Sequence, residues 1–142
     1  MGLDPAVSVV AGVGFRQGTQ AAEIEALIRR ALAAAGLEPD ALAGIATAAD
    51  RARSDALAGA AARFGLAPEA IAAEALVQAD ARVVTRSARI ENSRGIGSVA
   101  EAAALAACGP ASRLVLPRIA SPGATCALAA VAEGRAPVQE GP

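Results

Sequence analysis

Apolar positions in the first third of the chain predict a buried strand followed by an amphipathic helix. The β-branched run from Ala6 to Ala11, ended by Gly12 and Gly14, indicates the strand. The helix is expected to begin after Thr19, its N-cap, and to end at Gly36. Its apolar stripe recurs at i, i+3, i+4, i+7 and i+8 and comprises Ile24, Leu27, Ile28, Ala31 and Leu32.

The next segment predicts a second strand and a second helix. Residues 42–47 form a short apolar run that ends in a polar turn, which indicates a strand. Either Ser54 or Asp50 is expected to cap the following helix. That helix continues through Phe64 and is closed by Gly65.

The stretch from residue 66 to residue 81 is compatible with two interpretations. Pro68 is acceptable at the first position of a helix that covers the whole stretch. A short strand to Ala72, followed by a helix from Glu74, fits the same residues nearly as well.

The last third predicts one helix and a β-hairpin. Ser98-Val-Ala-Glu101 matches a capping box that opens a small, apolar helix through Cys108, and this helix should be buried on most sides. Residues 114–119 and 125–131 then predict two strands, joined by a turn at residues 121–123.

Strands that alternate with helices and end in a hairpin predict an α/β fold. We expect a single-domain α/β sandwich with a mixed β-sheet flanked by helices. The domain should span residues 1–133, and residues 134–142, which include Pro137, Gly141 and Pro142, should form a flexible C-terminal tail.

The charged residues limit the chemistry available to the chain. Its 142 residues include 13 arginines, no lysine and no histidine, and the net charge is −1. A histidine general base, an imidazole metal ligand and a lysine Schiff base are therefore excluded. The small net charge argues against a nucleic-acid partner. No metal site or cofactor is expected, whereas arginine suits carboxylate and phosphate ligands.

The cysteines and the N-terminus indicate an ordinary cytoplasmic domain. Cys108 and Cys126 both lie in apolar runs, which favours small buried side chains over a functional pair. The N-terminal residues lack the basic region of a secretory signal, and no run is long and apolar enough to cross a membrane.

Three segments at predicted element ends contain the candidate ligand-binding residues. The first joins the first strand to its helix, where backbone N–H groups and the helix N-terminus favour anions. The second precedes the helix at Ser98, and the third follows the second strand. Each has a plainer interpretation, as a tight turn, a solvated loop or a helix-start charge cluster. The candidates are Gly14, Arg16, Gln17, Gly18 and Thr19 in the first segment, Thr85, Arg86, Ser87, Arg89, Gly97, Ser98 and Glu101 in the second, Asp50 and Arg51 in the third, and Arg118.

Several segments, in this order and spacing, resemble the CobE/CbiG C-terminal family of cobalamin biosynthesis. The resemblance spans roughly residues 7–131. The chain departs from it at Phe15, where many relatives have a cysteine, so a thiol nucleophile cannot operate at that position. The lysine that relatives often place after the second strand is also absent. The matching segments are Val10–Thr19, Ile45–Thr47 with the Asp/Arg turn after it, Gly95–Leu105, Leu114–Arg118 and Ala124–Leu128.

The resemblance implies a stand-alone form associated with the aerobic branch of the pathway. Its expected ligand is a corrin-ring polycarboxylate, of the precorrin or hydrogenobyrinic acid type, bound by a carrier or auxiliary factor. The alanine-rich helix after Ser98 is expected to supply an apolar floor. The alternatives are a hydrolase of a lactone-bearing precorrin, with water activated by Glu101 or Asp50, and a docking module for another pathway enzyme. The cations expected to serve the site are Arg16, Arg51, Arg53, Arg86, Arg89, Arg94 and Arg118.

Overall fold

A five-stranded sheet forms the centre of the computed structural model, which describes residues 8–85 and 98–131. From residue 9 to residue 79 strands and helices alternate, and the described chain ends in a β-hairpin, as predicted. In chain order the elements are β1 (Val9–Phe15), α1 (Ala21–Ala34), β2 (Leu42–Ala48), α2 (Asp55–Ala62), β3 (Pro68–Ile71), α3 (Ala73–Ala79), α4 (Val99–Cys108), β4 (Ser112–Ala120) and β5 (Ala124–Val131).

The sheet is mixed, and helices cover both of its faces. Its strand order is β3-β2-β1-β5-β4, with β1, β2 and β3 parallel, β5 antiparallel to β1, and β4 antiparallel to β5. Because side chains alternate across a strand, Val9, Ala11 and Val13 of β1 pack with α1 and α2 on one face. Helices α3 and α4 pack on the other face, with Ala46 of β2. The predicted α/β sandwich with a mixed sheet is therefore confirmed.

Strand β1 is longer than the sequence pattern predicts. The prediction that Gly12 and Gly14 end the strand is wrong, because β1 pairs with β5 as far as Phe15. Both glycines instead lie where a side chain has no room. A Cβ on Gly12 would overlap the carbonyl oxygen of Ala100 in α4, and one on Gly14 would lie 2.9 Å from the hydroxyl oxygen of Thr125. The glycines thus allow α4 and β5 to approach the backbone of β1 closely.

Helix α1 has the predicted buried stripe and the predicted stop. Gly36 adopts a φ of +76°, and the Leu37 N–H donates to the Leu32 carbonyl at 2.9 Å, which is a glycine-terminated helix end. The prediction that Thr19 is the N-cap is wrong by one residue. Gln20 occupies that position without a side-chain cap, while the Thr19 hydroxyl donates to a carbonyl of the β4–β5 turn.

The middle of the chain resolves the two alternatives that the sequence left open. Ser54 rather than Asp50 caps α2, since its hydroxyl oxygen accepts the Leu57 N–H at 3.3 Å. Residues 66–81 form a short strand and then a helix, and not one helix from Pro68. Strand β3 lies at the edge of the sheet and starts at that proline, a position where a residue without an N–H is tolerated.

Helix α4 and the hairpin that follows it agree with their predictions. The Ser98 hydroxyl oxygen accepts the Glu101 N–H at 3.2 Å, and the helix is buried from Ala100 to Leu105. Strands β4 and β5 extend the two predicted strands by one or two residues at most of their ends and are joined through Ser121–Gly123. The predicted tail at residues 134–142 lies outside the described residues.

Candidate functional site at the carboxyl edge of the sheet

The carboxyl ends of β1, β2 and β3 lie at one edge of the sheet, because these three strands are parallel. Helices α1 and α2 begin at this edge, directly after β1 and β2. Helix α4 also begins there, on the opposite face, because its Val99 lies next to Gly14 near the end of β1. In open α/β sheets, ligands bind at this edge, where loops and helix N-termini meet.

An open cleft of about 770 Å³ lies at this edge, between the segments that follow β1 and β2. Phe15 ends β1 inside the cleft, and the guanidinium carbon of Arg51 lies 5.5 Å from the centre of its ring. This distance is within the range of a cation–π contact. The lining residues are Phe15, Gln17, Gly18, Thr19, Gln20 and Ala21 after β1, and Asp50, Arg51, Ser54, Asp55 and Ala56 after β2.

The cleft brings the first and third predicted segments together. Gln17, Gly18 and Thr19 from the first segment face Asp50 and Arg51 from the third across one space. Gly18 needs to be glycine, because its φ of +93° lies in the left-handed region.

Three other residues from these segments, Gly14, Arg16 and Arg53, lie outside the cleft lining. Arg16 and Arg53 are exposed nearby, and the Arg16 backbone N–H donates to the Gly123 carbonyl at 2.9 Å. Phe15 was noted in the sequence only as a departure from the family, and its place in the cleft needed the structure. The adjoining Gln20, Ser54 and Asp55 have no sequence signal beyond their position at helix starts.

Glu101 is the most completely bonded candidate residue in the described part of the chain. Its side chain is fully buried in the first turn of α4. Oε1 accepts the N–H groups of Val84 at 2.8 Å and Thr85 at 3.0 Å. Oε2 accepts the Thr85 hydroxyl at 2.6 Å and the Arg118 N–H of β4 at 2.9 Å. Four donors thus occupy the roughly four lone-pair positions of one carboxylate.

These bonds keep Glu101 ionised inside the protein. Burial raises the pKa of its carboxyl, but the hydrogen bonds from Arg118, Thr85 and Val84 outweigh burial and hold the pKa below its ordinary value. A carboxylate already saturated with donors has no lone pair to accept a proton from water. The geometry therefore supports a structural role for Glu101 and gives no support to its use as a general base.

A second carboxylate, that of Glu23, attaches one wall of the cleft to the β4–β5 turn. The sequence analysis did not name this residue as a candidate. Glu23 of α1 accepts the Ser121 hydroxyl at 2.5 Å and the Gly123 N–H at 2.7 Å. These two hydrogen bonds lower the pKa of Glu23. The Thr19 hydroxyl donates to the Gly123 carbonyl at 3.0 Å. The segment after β1 is thereby attached to the hairpin turn, which holds the cleft wall in place.

The structure describes only some of the candidate residues in the second segment. Thr85 and Ser98 lie at the start of α4, beside Glu101. Arg86, Ser87, Arg89, Arg94 and Gly97 lie outside the described residues, and their roles stay predictions. The expected apolar floor from the alanine-rich helix is wrong, because residues 100–105 are buried against the sheet. Phe15 is the apolar surface that the cleft offers instead.

Neither a metal site nor a membrane-spanning helix is found within residues 8–85 and 98–131. No group of three His, Cys, Asp or Glu side chains in that part of the chain could hold a metal ion. None of the described helices has the length and apolarity needed to cross a membrane. Cys126 is buried, as its apolar run predicts, whereas Cys108 is only half-buried, and both are free thiols.

Fold and site together define a three-layer α/β domain whose candidate ligand site lies beyond the carboxyl ends of parallel strands. Residues 9–129 match the family described as cobalamin synthesis G C-terminus. The chain is 38% identical over 129 residues to Protein CobE from Sinorhizobium sp., covering 90% of this chain and 83% of the relative. The chain belongs to this cobalamin biosynthesis family, which confirms the resemblance seen in the sequence.

Solved structures agree with this membership. The crystal structure of CobE, a protein from the cobalamin (vitamin B12) biosynthetic pathway, superposes with a TM-score of 0.83 at 28% identity, covering 93% of this chain and 96% of that one. The cobalamin biosynthesis protein chiG from Agrobacterium tumefaciens superposes with a TM-score of 0.69 at 36% identity, covering 88% and 99%. The likeness extends over nearly the whole of both relatives.

Proposed function

We propose that this cobalamin biosynthesis protein binds a corrin-ring polycarboxylate intermediate of the aerobic branch as a carrier or auxiliary factor. The binding site is the carboxyl edge of the sheet. The observation that carries the proposal is the cleft in which Arg51 lies over Phe15, between the N-termini of α1 and α2.

The chemistry of the cleft matches the chemistry of such a ligand. A corrin intermediate combines a large, partly apolar ring with several separated carboxylates. Phe15 offers an apolar face, and Arg51 offers a planar donor that fits a carboxylate in a bidentate manner. Backbone N–H groups at two helix starts add donors for further carboxylates. Asp50 and Asp55 also line the cleft, so carboxylates of the ligand must approach on the arginine side.

Equilibrium titration with hydrogenobyrinic acid tests the proposal. The ligand is followed by its visible absorbance and by retention on a desalting column, at low and at high salt. The wild type should retain the ligand stoichiometrically, and salt should weaken retention because the contacts are ionic. Arg51→Gln should lose about tenfold in affinity or more, since a hydrogen bond to a charged group is worth about 1.5–3 kcal/mol.

Arg113→Gln is the matched control for this experiment. Arg113 is exposed at the start of β4, at the opposite edge of the sheet from the cleft, and its loss should leave affinity unchanged. Equal losses in the two variants would exclude the cleft as the site. If the wild type retained no intermediate, the carrier role would be excluded, and a partner enzyme of the pathway would be sought by co-purification. The segment before α4 is tested separately by replacing Arg86 and Arg89 together with alanine.

A further inference from the structure

Glu101 connects three parts of the chain that are distant in sequence. From its position in α4 the carboxylate accepts hydrogen bonds from residues 84 and 85 and from Arg118 of β4. Its described partners are backbone N–H groups and one hydroxyl, with no cationic side chain among them. A buried anion held in this way fixes backbone positions, which an ion pair between flexible side chains does less well.

Strand β4 is irregular at the point where Glu101 contacts it. Leu116 pairs with Leu128 of β5 and Ile119 pairs with Cys126, so three steps along β4 match two steps along β5. The extra residue lies around Pro117 and Arg118. Such bulges redirect side chains and are frequent beside functional sites. Strand β4 lies at the edge of the sheet, and the Arg118 N–H donates to Glu101.

The Arg118 side chain lacks a partner within residues 8–85 and 98–131. Arg118 is half-buried near the end of β4, and among those residues its guanidinium makes no hydrogen bond or ion pair. Strand β4 runs parallel to β1, since both are antiparallel to β5, so Arg118 lies toward the cleft edge of the sheet. A guanidinium on a half-buried residue at this edge, without a partner among the described residues, is suited to an external carboxylate.

We infer that Arg118 binds a carboxylate of the corrin ligand and that Glu101 is the positioning residue that holds Arg118 there through its backbone N–H. The inference rests on the proposed function. It adds a second cation at the same edge of the sheet, on β4, outside the lining of the cleft. Two cations at separated points of one sheet edge would recognise the spacing of carboxylates around a macrocycle.

Glu101→Gln tests the positioning role because the side-chain amide has one acceptor oxygen, whereas the carboxylate has two. If the amide oxygen takes the place of Oε1, the bonds from Val84 and Thr85 are kept. The amide NH₂ can then donate to the Thr85 hydroxyl, which is able to accept. Only the Arg118 N–H is left facing another donor. The variant thus selectively breaks the bond between Glu101 and Arg118.

A double-mutant cycle with Glu101→Gln and Arg118→Gln separates positioning from general structural support. Affinity for hydrogenobyrinic acid is measured at a temperature where every variant is folded. Arg118→Gln should lose about tenfold, in line with the loss of one charge-assisted contact. Glu101→Gln should lose somewhat less, and the double variant should be no weaker than Arg118→Gln alone. Additive losses, or unchanged affinity in Glu101→Gln, would overturn the inference.

Two further measurements keep the test decisive. Hydrogen exchange at the Arg118 amide should be slow in the wild type and faster in Glu101→Gln, whether or not a ligand is present. Glu101→Asp keeps the charge and should recover part of the affinity, and it replaces Glu101→Gln in the cycle if that variant does not fold. If the wild type binds hydrogenobyrinic acid and Arg118→Gln binds it equally well, only this inference is overturned and the proposed function stands. A wild type that binds no corrin overturns the proposed function and the ligand role of Arg118 together, while the exchange result still reports on the bond.

Discussion

The backbone of Gly12 in β1 lies directly against the carbonyl of Ala100 in α4. A Cβ on Gly12 would overlap the Ala100 oxygen and would stand 2.6 Å from the Ala104 nitrogen. Helix α4 therefore rests on the bare backbone of the central strand. This close approach sets the depth at which Glu101, one residue further along α4, meets Arg118 and Thr85.

Replacing Gly12 with alanine should destabilise the protein strongly. The new methyl group meets backbone atoms, which cannot move aside as a side chain can, so α4 must shift as a unit. The expected loss in the free energy of unfolding is about 2 kcal/mol or more, as for overpacked cores. Gly59→Ala is the control. Its Cβ would meet only the Ala21 Cβ at 3.4 Å, and alanine should stabilise α2 by about 0.5–1 kcal/mol. Urea denaturation measures both, and equal stability of the two variants would contradict the packing argument.

The two serine caps should differ in their contribution to stability. Ser98→Ala leaves the N–H of the fully buried Glu101 without an acceptor, and the expected cost is about 1–2 kcal/mol. Ser54→Ala removes the bond to Leu57 from a cap that is only half-buried, where water can replace it. Its cost should be nearer 0.5 kcal/mol. Chemical denaturation of the two variants provides the comparison, and a larger loss for Ser54→Ala would contradict it.

The free energy of unfolding should decrease as the pH is lowered through the acid range, partly because of Glu101. Its folded-state pKa lies below the ordinary value of 4.5, so its ionised form is preferred in the folded protein. The stability that this carboxyl contributes is fully present above pH 4.5 and is lost as the pH falls through the folded-state pKa. Glu101→Gln should be less stable than the wild type at pH 7, by about 1–3 kcal/mol for an unpaired N–H.

To test this pH dependence, the free energy of unfolding is measured for the wild type and for Glu101→Gln from pH 7 to pH 3, and the gap between the two values is followed. The gap should narrow below pH 4.5 as the wild-type carboxyl becomes protonated. The difference in unfolding free energy between the wild type and Glu23→Gln should also narrow at low pH. The reason is the same, because hydrogen bonds from Ser121 and Gly123 lower the pKa of Glu23. A gap that stays constant across this range would show that the Glu101 carboxylate is not preferred in the folded state.

The two thiols should differ in reactivity although neither is activated. Burial raises the pKa of Cys126 to about 12 and also raises the pKa of the half-buried Cys108. A disulfide reagent at pH 8 should therefore modify native Cys108 slowly and Cys126 only after unfolding, because the thiolate is the reactive form. Cys108→Ala should remove all reactivity of the native protein. Rapid modification of Cys126 in that variant would contradict its burial.

Much of the fold could be predicted from the sequence, because many of its signals are local. The apolar stripe of α1 depends on residues three and four apart, and the Ser54 and Ser98 caps depend on an N–H three residues away. Gly36 and Gly65 both adopt positive φ after their helices, as predicted, although α2 ends at Ala62, two residues before the predicted Phe64. The family resemblance also depended only on the order of short segments, and the comparisons confirmed it.

Only the tertiary structure decided which of these segments meet. The sequence named Gln17 and Arg51 as parts of separate candidates, and parallel pairing of β1 with β2 brings them to one cleft. Gly12 was predicted to end a strand, whereas the packing of α4 makes it part of the strand interior. Glu101 was recognisable as a helix-start acid, but its partners Thr85 and Arg118 lie 16 and 17 residues away. Such contacts depend on strand order and helix placement, which neighbouring residues along the chain do not specify.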